Sequence, residues 1–365
     1  MAERWEIARA ANDVDTMRAI HKEHPELFDE EVRTTPVAVD GALKWIAARG
    51  DDRDPYFLSL HVYDAHTPYT PPAPFDRRFD PDYTGTIDGR NLGGKDSPVH
   101  AGMDPRDLEH VVALYDGEIA AVDQELGRLL GELGRLGALE NTLIVLTSDH
   151  GEEFFEHGGK LHGSTLYREA LQVPMIVKWP GHIPAGGRSK ENVGLVDIAP
   201  TLRAAAGLEP DRLLPGLDML SLAANKERPP AESVLLGQVT IRRGVDQPLW
   251  LESLVEQHQH TIIRRPGTAD WSAERYDLRV DPRELGPPEW IDASHPTSPA
   301  LLSMLEVERK KLRLLRELAP QRALPGTTVS PEDSMRLRAL GYGGTELSGA
   351  FKDEFLCLDG CIWRP

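Results

Sequence analysis

Three short stretches of this 365-residue sequence concentrate histidine and carboxylate side chains. The richest reads Ser148-Asp149-His150-Gly151-Glu152-Glu153-Phe154-Phe155-Glu156-His157-Gly158. A carboxylate oxygen beside an imidazole nitrogen offers two donors to one divalent cation, and the glycine lets the backbone turn sharply after them. On those two residues alone the segment reads first as a turn, with Asp149 capping locally and His150 exposed. Two further clusters shift the balance. His61 and His66 flank Asp64 in His-Val-Tyr-Asp-Ala-His-Thr-Pro-Tyr, and His162 lies twelve residues beyond His150 in Leu-His-Gly-Ser-Thr-Leu-Tyr. A single histidine is more often a core or surface residue than a catalyst. Asp/His-rich loops that follow strands, however, present such groups to one edge of a sheet, and together they point to metal-assisted hydrolysis.

The elements that must position these loops are legible in part. Residues 56–61 (Tyr-Phe-Leu-Ser-Leu-His) form a compact apolar run suited to a buried strand, and residues 42–48 pattern as a short helix. A loop with five prolines between Pro68 and Pro81 follows. Asp104 and Pro105 read as N-cap and first helical position, opening a long helix with an apolar stripe from Leu108 to Leu133 and Gly137 as its C-cap. Residues 142–147 (Thr-Leu-Ile-Val-Leu-Thr) are of central-strand type, and residues 173–179 give a third strand with its proline at the start. Helix, strand, loop, strand in this order predicts an α/β domain with a mostly parallel central sheet. Beyond about residue 223, short strands are expected at 233–238, 249–254 and 261–265, then an amphipathic helix over about 299–318, as in a smaller α+β unit with an antiparallel sheet.

Composition narrows the function. The chain is 40% hydrophobic and 27% charged, as in globular proteins, and excludes collagen-like, coiled-coil and wholly disordered readings. Lys and Arg total 41 against 59 Asp and Glu, a net charge of −18. Polyanion binding depends on clustered cations, so neither nucleic acid nor an anionic membrane surface is an expected partner. An anionic small molecule would need local compensation, most simply a metal ion. Cys357 and Cys361 stand together near the C-terminus without the histidines of a zinc site, in what reads as an irregular tail over 346–365. No apolar run approaches the roughly 20 residues that span a bilayer, and the first residues lack the pattern of a signal peptide.

In sequence order the chain resembles the sulfatases of the alkaline-phosphatase-like superfamily. The resemblance runs from about Pro36 to Tyr342. It is carried by Asp64-Ala-His66-Thr-Pro68-Tyr69, by Tyr115-Asp116-Gly117-Glu118-Ile119 with Asp123, and by Ser148-Asp149-His150-Gly151-Glu152. Glu156-His157-Gly158, His162-Gly-Ser-Thr-Leu-Tyr167-Arg-Glu169, Val173-Pro174 and Trp179-Pro180-Gly181 continue it. Val196-Asp197-Ile198-Ala199-Pro200-Thr201-Leu202, Pro215-Gly216 and Tyr276-Asp277-Leu278 with Asp281-Pro282 complete it. Each block is weak alone, and their order and spacing together are specific.

The resemblance implies an alkaline-phosphatase-like sandwich, with residues 1–222 as catalytic domain and 223–345 as the smaller C-terminal one. It implies a divalent metal on Asp149 and His150, with calcium favoured. The imidazole in place of an amide makes manganese the alternative. It assigns His66 and His162 to the sulfate, His66 as proton donor to the departing oxygen. Glu152, Glu153 and His157 are expected to support the loop, Tyr115 and Asp116 to pack and cap their helix, and the blocks at 197–202 and 276–278 to mark the fold without chemistry. The implied substrate is a small-molecule or glycan sulfate ester.

One part of the family's pattern is absent from these residues. The Cys/Ser-x-Pro-Ser/Ala-Arg motif, whose first residue becomes the formylglycine nucleophile, does not occur, and Asp51-Asp52 is not preceded by the apolar strand that the family's N-terminal metal pair follows. The N-terminus is therefore expected to be truncated, and this polypeptide in isolation to be inactive. The family reading is sulfuric-ester hydrolysis. Phosphoester or phosphonate hydrolysis in the same superfamily, or a non-catalytic remnant that binds metal weakly, are the alternatives.

Overall fold

In the computed structural model the described residues are 33–318, apart from 51–53, 91, 94–96, 212–213, 224–233, 242–248 and 267, with backbone alone for 314–318. The tail at 346–365, with Cys357 and Cys361, lies outside them. The chain divides into two units, Met1–Glu140 and Asn141–Pro365.

The first unit is built on two helices. Helix α1, Thr34–Arg49, is longer than its apolar pattern predicts because its first turn is capped from a distance. The Asp64 carboxylate accepts the Thr34 and Thr35 N–H groups at 3.2 and 2.7 Å, and the Thr34 hydroxyl accepts the Tyr63 N–H at 2.8 Å. Helix α2, Pro105–Arg135, begins as expected, with Asp104 accepting from Arg106 N–H at 2.8 Å and proline at the first position. It ends in a Schellman closure: Gly137, at φ 68°, donates to Gly134 O, and Ala138 donates to Leu133 O. Val39 and Ala42 of α1 pack against Leu129 and Leu133 of α2, joined by Leu60.

The proline-rich loop lies along the other part of α2. Gly117 is required there, since a Cβ would stand 2.7 Å from Phe75 O and 2.8 Å from Pro71 Cγ. Tyr69 is fully buried, with its ring 5.2 Å from that of Tyr115. Asp80 pairs with both Arg106 and His110, while Tyr83 stacks on His110 and donates to Asp107 at 2.6 Å. Tyr115 thus packs as expected. Asp116 does not cap, because it stands mid-helix, and burial pushes its carboxyl pKa up. Residues 56–61 also depart from expectation: they form no strand, and Phe57 is 73% exposed.

In the second unit, β1 (Ile144–Thr147) leads into the Asp149 loop. A short hairpin, β2 (Glu153–Phe154) with β3 (Lys160–Leu161), reverses the chain. A single helical turn, α3 (Arg168–Leu171), then leads to β4 (Met175–Lys178). Strands β1 and β4 pair antiparallel, Ile144 opposite Lys178 and Thr147 opposite Met175. The hairpin is the reason: it turns the chain back before β4, with no crossover to restore direction.

After α4 (Ile198–Ala205) and α5 (Leu220–Ala223) comes an antiparallel meander of β5 (Val234–Ile241), β6 (Leu249–Glu256), β7 (Gln259–Arg264), β8 (Ser272–Asp277) and β9 (Glu289–Ile291). The antiparallel sheet was expected from the sequence, and β8 and β9 extend it beyond the three strands read there. Both faces are covered, because side chains alternate along each strand. Leu254, Ile263, Trp271, Ala273 and Ile291 face Leu301 and Leu305 of α6 (Ser298–Leu318). Leu251, Ile262 and Tyr276 face Leu166 and Tyr167, just ahead of α3.

The block at 197–202 is a fold device. The fully buried Asp197 carboxylate accepts the Gly194 and Leu217 N–H groups at 2.8 and 2.7 Å, and Thr201 donates to Asp197 O while accepting from Met219 N–H. Among the described residues no helix is long and apolar enough to cross a membrane.

Candidate active site

Asp149 and His150 stand at the C-terminal end of β1. The loop is held from below: Gly151 N–H donates to Ala170 O at 2.8 Å and Glu152 N–H to Glu169 O at 2.9 Å, so the segment hangs on α3. Only glycine fits at 151, where a Cβ would lie 1.9 Å from Glu169 O. The Ser148 hydroxyl donates to His150 O at 2.8 Å and fixes the turn.

His150 Nδ1 lies 2.8 Å from Gly151 O. A carbonyl only accepts, so Nδ1 carries the proton and Nε2 presents its lone pair. That Nε2 is 3.8 Å from Asp149 Oδ1. Two donors roughly 2.0–2.5 Å from one cation lie roughly 3–4 Å apart, so the pair fits a single divalent ion. Asp149 is 37% exposed and His150 12%, an accessible carboxylate beside a mostly covered ring. Among the described residues no group of three or more His, Cys, Asp or Glu side chains is arranged to hold a metal ion.

His162 is brought to the same place by the turn that follows β3. Its ring centroid lies 4.0 Å from that of His150, and its Nδ1 is 2.9 Å from the buried Glu152 carboxylate. The carboxylate keeps the Nδ1 proton and orients the ring. Beneath the two histidines is a small cavity, lined also by Thr165, Leu166, Gln238 and Val239. Gln238 donates to Glu252 at 2.5 Å, and Arg309 of α6 grips the same carboxylate.

Glu153, 2% exposed, accepts from the Ser164 and Thr165 hydroxyls, and burial drives its carboxyl pKa up. It braces the hairpin and presents nothing to the surface.

In the first unit, His66 Nδ1 is 2.8 Å from Thr67 O and so carries a proton, while Nε2 is 3.3 Å from the Tyr63 hydroxyl. The His66 ring stacks on Tyr63 at 4.3 Å. His61, three residues before Asp64, stays exposed. Asp64 itself is committed to the α1 N-terminus.

Three participants carried no signal that pattern reading could use. Glu169 holds the Glu152 backbone, Glu284 holds α3, and His260 is buried in β7. Glu169 stands in a quoted block, but its partners are distant in sequence. Glu284, three residues past Asp281, is buried to 1% although its sequence neighbourhood is charged.

Residues 15–208 match the family profile described as Sulfatase. Over 275 residues the chain is 26% identical to an arylsulfatase of Clostridium perfringens, covering 71% of this chain and 54% of that protein. It is 30% identical over 188 residues to an N-acetylglucosamine-6-O-sulfatase of Bacteroides thetaiotaomicron, covering 47% of this chain and 30% of the relative. The chain thus spans about half the length of the first relative and less of the second. A phosphonate monoester hydrolase of Agrobacterium radiobacter shares the fold with a TM-score of 0.58 at 24% identity, over 78% of this chain and 60% of that one.

Proposed function

Since the chain belongs to the sulfatase family, we propose that it carries the metal-ligand pair and two sulfate-contacting histidines of a sulfuric-ester hydrolase. The observation that carries this reading is the pairing of Asp149 and His150, one cation's span apart, beside a His162 ring fixed by Glu152. The relatives named as an arylsulfatase and an N-acetylglucosamine-6-O-sulfatase support a sulfate ester, small or on a glycan, as the substrate class.

Asp149 Oδ1 and His150 Nε2 are the proposed ligands, for calcium first and manganese second. A cation held there would offset the charge of a sulfate oxygen as a Lewis acid. His162, whose Nδ1–H is held by a carboxylate, donates from Nε2 to an anion when the ring is doubly protonated. His66, with Nδ1 committed to Thr67 O, has Nε2 as the atom through which a proton passes to a leaving oxygen. Tyr63, stacked on the ring and 3.3 Å from that nitrogen, holds its direction.

No Cys/Ser-x-Pro-Ser/Ala-Arg motif occurs in these 365 residues, so the formylglycine whose hydrated aldehyde attacks sulfur is not supplied by them. These residues alone are therefore proposed to bind metal without turnover. The test is calorimetric titration of the 365-residue chain with Ca²⁺ and Mn²⁺, followed by assay of 4-nitrophenyl sulfate and a phenylphosphonate monoester with a nucleophile-bearing sulfatase segment joined to it. Metal binding abolished by Asp149→Ala and His150→Ala, and sulfate ester hydrolysis abolished by His66→Ala, are expected. Binding indifferent to both ligand substitutions, or hydrolysis indifferent to His66→Ala, would overturn the assignment.

A further inference from the structure

His157 lies outside the proposed ligand set, yet its surroundings fix its protonation. Nδ1 is 2.6 Å from Glu169 Oε1 and Nε2 is 2.8 Å from Glu284 O. A carboxylate and a main-chain carbonyl both only accept, so the two bonds coexist only when both ring nitrogens carry hydrogen. A neutral ring would satisfy one partner and turn a bare lone pair toward the other. The ring is 10% exposed and stacks on Tyr167 at 3.6 Å with an 8° tilt, the placement of a cation over an aromatic face.

Both partners are themselves fixed. Glu284 adopts φ 59°, a left-handed backbone rare outside glycine, which lets its carbonyl and its carboxylate serve the same neighbourhood. Its carboxylate accepts the Arg168 N–H at 3.0 Å, at the start of α3, and pairs with His260 Nδ1 in β7. Glu169, one residue into α3, offers its carboxylate to His157 and its carbonyl to Glu152 N–H. The contacts close a ring: Glu284 carboxylate to Arg168, along the backbone to Glu169, through His157, and back to Glu284 O.

We propose that His157 is a buried imidazolium that positions the Glu152–His162 pair by clasping α3 to the loop after β8. Its standing as a positioning residue for sulfate chemistry rests on the function proposed above. Its charge state does not. The titratable and charged groups around it are Glu169 from α3, Glu284 and its partner His260 from the second half of the unit, and the Tyr167 phenol, which is committed to Glu274. Burial opposes the charged ring, but the Glu284 carbonyl and the Glu169 carboxylate outweigh it, and the pKa is raised above the ordinary histidine value.

The test reads protonation and order directly, without turnover. Two-dimensional ¹⁵N spectra of the histidine rings of the full chain, recorded from pH 6 to 9, are expected to show one ring still doubly protonated where free histidine is neutral. That signal should vanish in His157→Gln and should titrate at lower pH in Glu169→Gln. Hydrogen exchange over residues 151–171, corrected for intrinsic rates, should lose protection as pH rises through that titration. Protection in His157→Gln should start lower and show no pH step. A neutral ring at pH 7.5 assigned to His157, or a pH step that persists in His157→Gln, would overturn the proposal. If His157→Gln does not fold, Glu169→Gln decides alone, because an unchanged titration there is equally fatal. A protonated His157 in a chain that shows no sulfate ester hydrolysis even with the nucleophile-bearing segment joined would fault the function reading instead and leave the clasp standing.

Discussion

The Asp64–His66 loop and the Asp149–His150 loop use the same residue types after runs of similar sequence, and they put them to opposite uses. Asp64 is consumed by the fold: its two oxygens cap the N-terminus of α1. His66 is what that loop leaves for chemistry. Asp149 remains 37% exposed, 3.8 Å from its neighbouring imidazole, and the burden of holding the loop passes to backbone bonds from Gly151 and Glu152 onto α3. A carboxylate next to a histidine is thus no site by itself. What separates the two is where the claim on the carboxylate comes from: Asp64 accepts the distant Thr34 and Thr35 N–H groups, whereas Asp149 Oδ1 accepts the N–H of the adjacent His150 at 3.1 Å.

Four substitutions or conditions sharpen that contrast. Gly151→Ala should have the largest effect, because its Cβ would meet Glu169 O at 1.9 Å. The backbone must move, at about 3 kcal/mol of overpacking, read from the urea midpoint. Asp64→Ala should cost about 1–2 kcal/mol through the uncapped α1 N-terminus, and it should leave metal binding unchanged in calorimetry. Should Asp64→Ala be neutral to unfolding, the capping account falls and the contrast with it.

The pH dependence of His157 comes next. Its pKa is raised in the folded state, so its contribution is complete below the unfolded value near 6.5 and is lost as pH climbs through the folded value. The stability gap between wild type and His157→Gln should therefore shrink between pH 6 and pH 9 in urea titrations. Asp149→Ala should have the smallest effect on unfolding, within about 0.5 kcal/mol, as befits a half-exposed side chain. It should nevertheless abolish the rise in melting temperature that excess Ca²⁺ or Mn²⁺ gives the wild type, while Asp64→Ala keeps that rise.

Local signals survived into the structure where they were self-contained. Asp104-Pro105 and Gly137 bracket α2 because caps and closures depend only on neighbouring residues. The antiparallel sheet was announced by β-branched runs, although β8, rich in charge, hid behind Glu274 and Arg275. The partners Tyr167 and Tyr276 bury that Glu274, and burial beside the carboxylate pushes the Tyr167 pKa up to about 12. Strand direction was not legible for β1 and β4, since it depends on a two-residue hairpin whose strands are too short to leave a periodic trace. At the candidate site the proposed donors Asp149 and His150 are picked out by residue type and by the family resemblance, since their spacing alone reads as a turn. The roles of Glu169, Glu284 and His260 could not be read, because each is set by a partner beyond its own neighbours: Glu169 by His157 across the hairpin, His260 by Glu284, and Glu284 by Arg168 and His157 more than a hundred residues away.

The exposed Phe57 in the run at residues 56–61 has a colloidal consequence. An apolar segment with Phe57 73% exposed is a surface to which apolar side chains of a second molecule can adhere. At neutral pH the net charge of −18 keeps molecules apart. Acidification protonates carboxylates and removes that repulsion while leaving the apolar segment as sticky as before. Turbidity should therefore rise steeply on mild acidification, and Phe57→Ser, which leaves the net charge alone, should weaken it.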